Sequence, residues 1–172
     1  MQPPPFFTSK KLDLISIFSV LTSISCGKIT KMKLTKVQKE KIQEIGKKYK
    51  LKLMLLHGSY ATGRQKEGSD LDIAVVGKKA LKSEDVTKIL FDLEDTLGND
   101  YTRELDVKSL HGVDPLFLFK VVSESNLLYG NLHDYSEFGA YAFKVYNDSR
   151  DLRNLEKLLV NKYQKHLNLK YA

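Results

Sequence analysis

Two short apolar runs, joined through a Gly-Ser pair and followed by paired carboxylates, constrain this chain more than any other feature. Leu51-Lys52-Leu53-Met54-Leu55-Leu56 leads through His57 into Gly58-Ser59, and after ten residues Asp70-Leu71-Asp72 opens the run Ile73-Ala74-Val75-Val76. Apolar runs this short, bounded by polar residues and glycine, read as buried strands. Alternation along a strand places Asp70 and Asp72 on one side and Leu71 and Ile73 on the other. Two carboxylates about 7 Å apart on one face can share hard cations through oxygen ligands. Without a metal they repel each other and tend to keep a proton.

The chemistry around the pair points to phosphate. Gly58 lets the backbone approach closely, and Ser59 offers a hydroxyl and an amide N–H. Residues 60–63 read as one helical turn whose N-terminal amides face the same way. Arg64 and Lys66, in the connecting segment, either meet remaining phosphate charge or stay solvated. Mg²⁺ shared by the carboxylates would bridge to a triphosphate and orient an attacking oxygen, which suits nucleotidyl transfer. A third carboxylate comes from the alternating segment Arg103-Glu104-Leu105-Asp106-Val107-Lys108, read as a third strand. Asp106 and Glu104 share a face, and Asp106 is preferred because it lies deeper, between Leu105 and Val107. A base there could take the proton from an acceptor hydroxyl; the alternative is a salt-bridging strand residue. His57 either lines the site or serves the strand end, and Tyr60 either stacks on a base or packs against the short helix.

With these residues in place, the chain resembles the minimal nucleotidyltransferases of the DNA polymerase beta superfamily, whose mark is Gly-Ser, ten residues, then Asp-x-Asp. Among them it is most similar to the MntA-type antitoxins that pair with HEPN-domain toxins. The resemblance runs from about Met32 to about Gln164. It takes in Asp106, the segment Leu127-Leu128-Tyr129-Gly130, and a long C-terminal helix with Ala142, Tyr146 and Asp148. It implies that Asp70, Asp72 and Asp106 bind two Mg²⁺ ions, and that Gly58, Ser59, Arg64 and Ser69 hold ATP. It also implies that AMP moves from ATP onto a tyrosine of a HEPN-type partner. One position departs from the family pattern: Thr62 stands where members often carry Arg, with Arg64 two positions on.

Two other readings use the same residues. A small-molecule nucleotidyltransferase would share the site, but little chain remains beyond the minimal fold to build an acceptor pocket. A module that neutralises its partner by occlusion alone is the non-enzymatic version. A template-directed polymerase is not expected, because few residues beyond the minimal fold are left for fingers and thumb.

At 172 residues the chain is long enough for one domain with a substantial core. The net charge of +7 invites a nucleic-acid reading, which its distribution answers. Residues 1–50 hold eleven lysines against Asp13, Glu40 and Glu44, a net of +8, and the remainder has 17 basic and 18 acidic residues, a net of −1. The basicity is therefore N-terminal. It lacks the aromatic interleaving of a stacking platform, so direct nucleic-acid binding is not expected. The single Cys26 rules out an internal disulfide framework and suits a reducing, cytoplasmic location. His111, His133 and His166 show no zinc-ligand spacing.

Residues 1–31 differ in character from the rest of the chain. Pro3-Pro4-Pro5, then Lys10-Lys11, then a mostly apolar stretch from Leu12 to Ile24 ending near Cys26 mimic a signal peptide. The apolar run is too short and serine-broken to span a membrane. A dispensable extension, or translation from Met32, is the expectation, with the catalytic domain at 32–172.

Within that domain, Thr35 and Gln38 form a capping box for a helix with Leu34, Val37, Ile42, Ile45 and Tyr49 as its stripe, loosened at Gly46. Strands lie at 51–56 and 70–76. Ser83 caps a helix whose stripe is Val86, Ile89, Leu90, Leu93 and Leu97, closed by Gly98. A strand covers about 103–109, and Asp114-Pro115 starts a helix to Val122. Residues 127–129 form a strand or turn. One last helix runs from about Ser136 to Gln164, with Phe138, Ala142, Val145, Leu152, Leu155 and Leu159 inward. The order predicts a small mixed sheet with helices packed on it, an α/β or α+β domain.

Overall fold

A computed structural model of the protein describes residues 34–98 and 103–171. The 1–31 extension and Cys26 lie outside them. The element order is α1 (Lys36–Lys48), β1 (Leu51–His57), α2 (Gly58–Thr62), β2 (Leu71–Gly77), α3 (Ser83–Leu97), β3 (Leu105–Ser109), α4 (Pro115–Glu124), β4 (Asn126–Tyr129), α5 (Leu132–Asp148) and α6 (Arg150–Tyr171).

The four strands form one sheet in the order β3-β2-β1-β4. β1 pairs antiparallel with both β2 and β4, while β2 and β3 run parallel. Strands β1 and β2 are buried on both faces, because alternate residues enter two separate cores. Leu51, Met54, Leu56, Leu71, Ile73 and Val75 pack with α1 and α3. Leu53, Leu55, Ala74 and Val76 pack with α4 and α5. The result is the expected small mixed sheet with helices packed on it, here in two layers, one on each face.

Local signals explain most element ends. The Thr35 hydroxyl accepts from Gln38 N (3.2 Å) and the Gln38 carboxamide oxygen accepts from Thr35 N (3.0 Å), so the capping box is present. The Asp114 carboxylate accepts from Leu116 and Phe117 N–H at the start of α4, with Pro115 in the first turn. At the end of α3, Arg103 donates to the carbonyls of Leu97 (2.5 Å) and Gly98 (3.2 Å), satisfying groups a helix leaves orphaned.

Several details differ from expectation. The N-cap of α3 is Lys82, not Ser83, and no side chain caps it. Glu84 and Asp85 sit in its first turn, where negative charge favours the helix dipole. Val37 is exposed, because the buried stripe of α1 begins only where the helix reaches the sheet, at Ile42. Gly46 is small for a packing reason: a Cβ there would collide with the Tyr129 ring. The third strand begins at Leu105, Arg103 being spent on the α3 cap.

The largest difference is at the C-terminus. The expected single helix starts earlier, at Leu132, capped by the Asn131 side chain accepting from Asp134 N, and it breaks at Ser149. Arg153 donates to the Tyr146 carbonyl and the Ser149 hydroxyl and lies 3.9 Å over the Tyr146 ring, fixing the junction. Beyond it, α6 runs past the sheet with no buried residue. Leu152, Leu155 and Leu159, expected inward, are exposed. No helix of the described residues is long and apolar enough to cross a membrane.

Candidate active site

Strand register, rather than sequence proximity, assembles the site. His57 ends β1 opposite Asp72 of β2, and Asp72 lies beside Asp106 of β3. The three form a row across one end of the sheet. Two residues inward, Leu55 and Ala74 on the same face enter the core under α4 and α5. The carboxylates therefore sit at the rim of that core.

The turn at Gly58 has a plain steric cause. The chain passes from β1 into α2 with φ +71° at Gly58, and a Cβ on it would drive into Asp72 Oδ2. Glycine is needed both for the left-handed backbone and for the close approach to the carboxylate. Gly68 supplies an internal comparison, with φ +78° but nothing within 4 Å of a Cβ. Both Gly→Ala changes should cost ~1–3 kcal/mol of backbone strain. Gly58→Ala should lose more, and should also lose nucleotidyl transfer, whereas Gly68→Ala keeps it. Urea denaturation of the two variants, with transfer rates alongside, checks this.

Burial shifts the titration of the central pair in opposite directions. Desolvation raises the Asp72 pKa above the ordinary carboxylate value, with the His57 charge opposing and Asp106 adding to the rise. Burial also lowers the His57 pKa, against the attraction of Asp72. His57 is 9% exposed and meets the Phe117 ring edge-on at 6.0 Å. It is a packed strand-end residue that borders the carboxylates.

The other expected residues surround this row at varying depth. Asp70 stands just before β2, exposed, and its charge acts on Asp72. Ser69 is engaged in its own turn: its hydroxyl accepts from Lys66 N (2.8 Å) and its N–H donates to the Lys66 carbonyl (3.0 Å). Ser59 is half-buried in α2, and its carbonyl accepts from Arg64 N at 2.9 Å. Arg64 is exposed and lies 3.6 Å from Glu124 of α4. Tyr60 is half-buried and packs against the α1/α3 core. The departure at Thr62 has a local role, since its hydroxyl donates to the carbonyls of Gly58 (3.0 Å) and Ser59 (3.3 Å). It accepts in turn from Arg64 Nε at 3.1 Å, so the displaced arginine returns to the same turn.

Two residues of the site escape sequence reading. Asn126 at the start of β4 is buried and donates to the Ala61 carbonyl at 3.1 Å, tying α2 to the sheet. An asparagine opening an apolar run is the only trace of this in the sequence. Asn126→Leu should cost ~1–3 kcal/mol by leaving a buried carbonyl without its donor, read as a lower melting temperature, and should weaken nucleotide binding by loosening α2. The second is Lys108, whose Nζ lies 2.7 Å from Asp106 Oδ2.

Asp70, Asp72 and Asp106 offer hard oxygen donors only, which fit Mg²⁺ rather than zinc. The close passage of Gly58 leaves backbone, not side chain, beside Asp72. Among the described residues, a tighter group of ligand-type atoms, all within 4.8 Å, is His133, Asp134 and Glu137 on α5. There the Lys52 ammonium lies 3.4 Å from Asp134 and 3.3 Å from Glu137, so those carboxylates already have a cation.

The family described as Polymerase beta, Nucleotidyltransferase matches residues 40–134, from α1 through all four strands into α5. The chain belongs to this family. It is a nucleotidyltransferase, and its Gly58-Ser59 turn and aspartates fall within the matched region. Over 87 residues it is 33% identical to a candidate protein adenylyltransferase of Methanocaldococcus jannaschii, covering 51% of this chain and 89% of the relative. Over 97 residues it is 28% identical to the protein adenylyltransferase MntA of Shewanella oneidensis, covering 56% of this chain and 67% of MntA. Among solved structures, it resembles one of a tri-AMPylated Shewanella oneidensis HEPN toxin in complex with its MNT antitoxin. The match has a TM-score of 0.57 at 20% identity and covers 76% of this chain and 99% of the matched one, a likeness of fold.

Proposed function

We propose that this nucleotidyltransferase moves AMP from ATP onto a tyrosine hydroxyl of a HEPN-type toxin and thereby acts as its antitoxin. The observation that carries the reading is the passage of Gly58 against Asp72, in register with Asp106. It offers backbone amides for phosphate beside a set of carboxylates. The names borne by relatives point to a protein as acceptor.

The turn at Gly58-Ser59 binds the phosphate chain through its N–H groups and the Ser59 hydroxyl. Asp70, Asp72 and Asp106 would hold two Mg²⁺ ions, which when bound neutralise phosphate charge and polarise the reacting oxygens. A tyrosine oxygen attacks the α-phosphorus in line, a phosphodiester O–P bond forms, and the bond to pyrophosphate breaks. A carboxylate of the set takes the hydroxyl proton. Placement and charge supply most of the rate.

The uncovered α6 supports a protein acceptor. Exposed leucines on a helix with no buried residue form an apolar face of the kind that marks protein contacts. The test is incubation with Mg²⁺, α-labelled ATP and the product of the adjacent gene, with a HEPN-type toxin as a second acceptor and an Asp70→Ala/Asp72→Ala control. Label on the partner that is lost in the control is the expected result. A stable complex without label would leave an occluding binder instead.

A further inference from the structure

Asp106 has a resident partner that nucleotidyl transfer does not require. Lys108 and Asp106 are two residues apart on β3, so both project from the face that carries Asp72. In the parallel register Asp106 lies beside Asp72 and Lys108 beside Ala74. The lysine could extend to solvent, but its ammonium turns back along the strand to within 2.7 Å of Asp106 Oδ2. Both side chains remain about half exposed, at 54% and 45%, so neither is locked in place.

A carboxylate oxygen that holds an ammonium is less available to a divalent cation. The two compete for the same negative charge, and each weakens the other through like-charge repulsion. An incoming triphosphate changes the balance, because it brings negative charge to which a displaced ammonium can turn.

We propose that Lys108 is a positioning residue that makes the site load metal and nucleotide together. With no metal bound, it holds the Asp106 carboxylate and lowers affinity for a free divalent ion. When a metal–nucleotide complex enters, the ammonium leaves Asp106 and pairs with the phosphate chain. This rests on the nucleotidyltransferase reading of the site.

The signature is a pair of effects of opposite sign. Lys108→Met should tighten binding of Mn²⁺ alone by about thirtyfold, the effect of removing one unit charge about 4 Å from a divalent ion under water-like screening. The same variant should weaken binding of the ATP analogue AMP-PNP with Mg²⁺ by a similar factor. Lys108→Arg keeps the charge and should leave the sign of neither effect visible. Mn²⁺ binding is read by electron paramagnetic resonance, AMP-PNP binding by calorimetry, and the fold of each variant by circular dichroism. If Lys108→Met loses affinity for both ligands, the lysine merely supports the strand and the proposal fails. If neither affinity moves, the pair is an ordinary solvated ion pair, and the proposal fails equally. Should the unsubstituted protein bind no AMP-PNP, the nucleotidyltransferase reading itself falls, while the Mn²⁺ measurement still decides whether Lys108 restrains the metal.

Discussion

Replacing Asp72 with asparagine is expected to abolish function while leaving the fold as stable as before, or more so. The change keeps shape and removes only the charge at the centre of the row His57, Asp72 and Asp106. Transfer should fall by about 10³-fold, the loss expected when several kcal/mol of metal-centred charge stabilisation disappears. Stability should move the other way. Burial raises the Asp72 pKa in the folded protein, so the folded state binds a proton more tightly than the unfolded chain does. Stability from this group is then greatest below the unfolded pKa, near 4, and falls as pH rises through the folded value. Above that range the charge on Asp72 is a burden that asparagine removes. The melting temperature of Asp72→Asn should match or exceed that of the unsubstituted protein at pH 7, and the difference should close in acid. A residue that only held the fold together would show the reverse, a lower melting temperature with transfer largely kept. That combination would remove Asp72 from the active site.

This opposition between stability and activity shows why part of the site was legible in the sequence. An aspartate inside a run of Leu, Ile, Ala and Val violates strand patterning, and such violations concentrate at functional positions. Gly58 is legible for a related reason, since glycine directly after a buried strand signals a sharp turn or a close approach. What did not show was the cross-strand content. Asn126 reaches Ala61, 65 positions earlier in the chain, by a bond no local pattern encodes. Lys108 has the look of an ordinary outward residue of an alternating strand until the register places it beside Ala74 and next to Asp106. The break at Ser149 escaped because neither glycine nor proline marks it; an arginine four residues later makes the junction. Helical periodicity identified the leucines of α6 as one face. Periodicity reports that a face is apolar but not what covers it, and here the sheet ends before the helix does.

That uncovered face gives the second prediction with a large effect. Leu155 and Leu159 are 52% and 58% exposed and lie one turn apart on α6. Substituting both with glutamate should change stability by no more than ~0.5 kcal/mol, as for surface positions generally. If the protein acceptor docks on this face, the same change removes a central apolar contact, and binding should weaken about 10²-fold, corresponding to hot-spot losses of ~2–4 kcal/mol. Charge sharpens the test. Residues 150–171 hold six basic side chains against Asp151 and Glu156, a net of 6 − 2 = +4. Two such helices would repel each other, so a partner with an acidic rim fits better than a second copy. Against an acidic rim, Leu→Glu adds repulsion and Leu→Lys adds attraction. The glutamate pair should therefore bind more weakly than the lysine pair, by an amount that shrinks as salt is raised. Calorimetric titration of the two double variants with the acceptor measures both quantities. Equal losses for glutamate and lysine would mean that apolar contact alone governs docking. Unchanged affinity in both would place the acceptor elsewhere, on the α/β domain itself, and α6 would then have no part in bringing the tyrosine to the row of carboxylates.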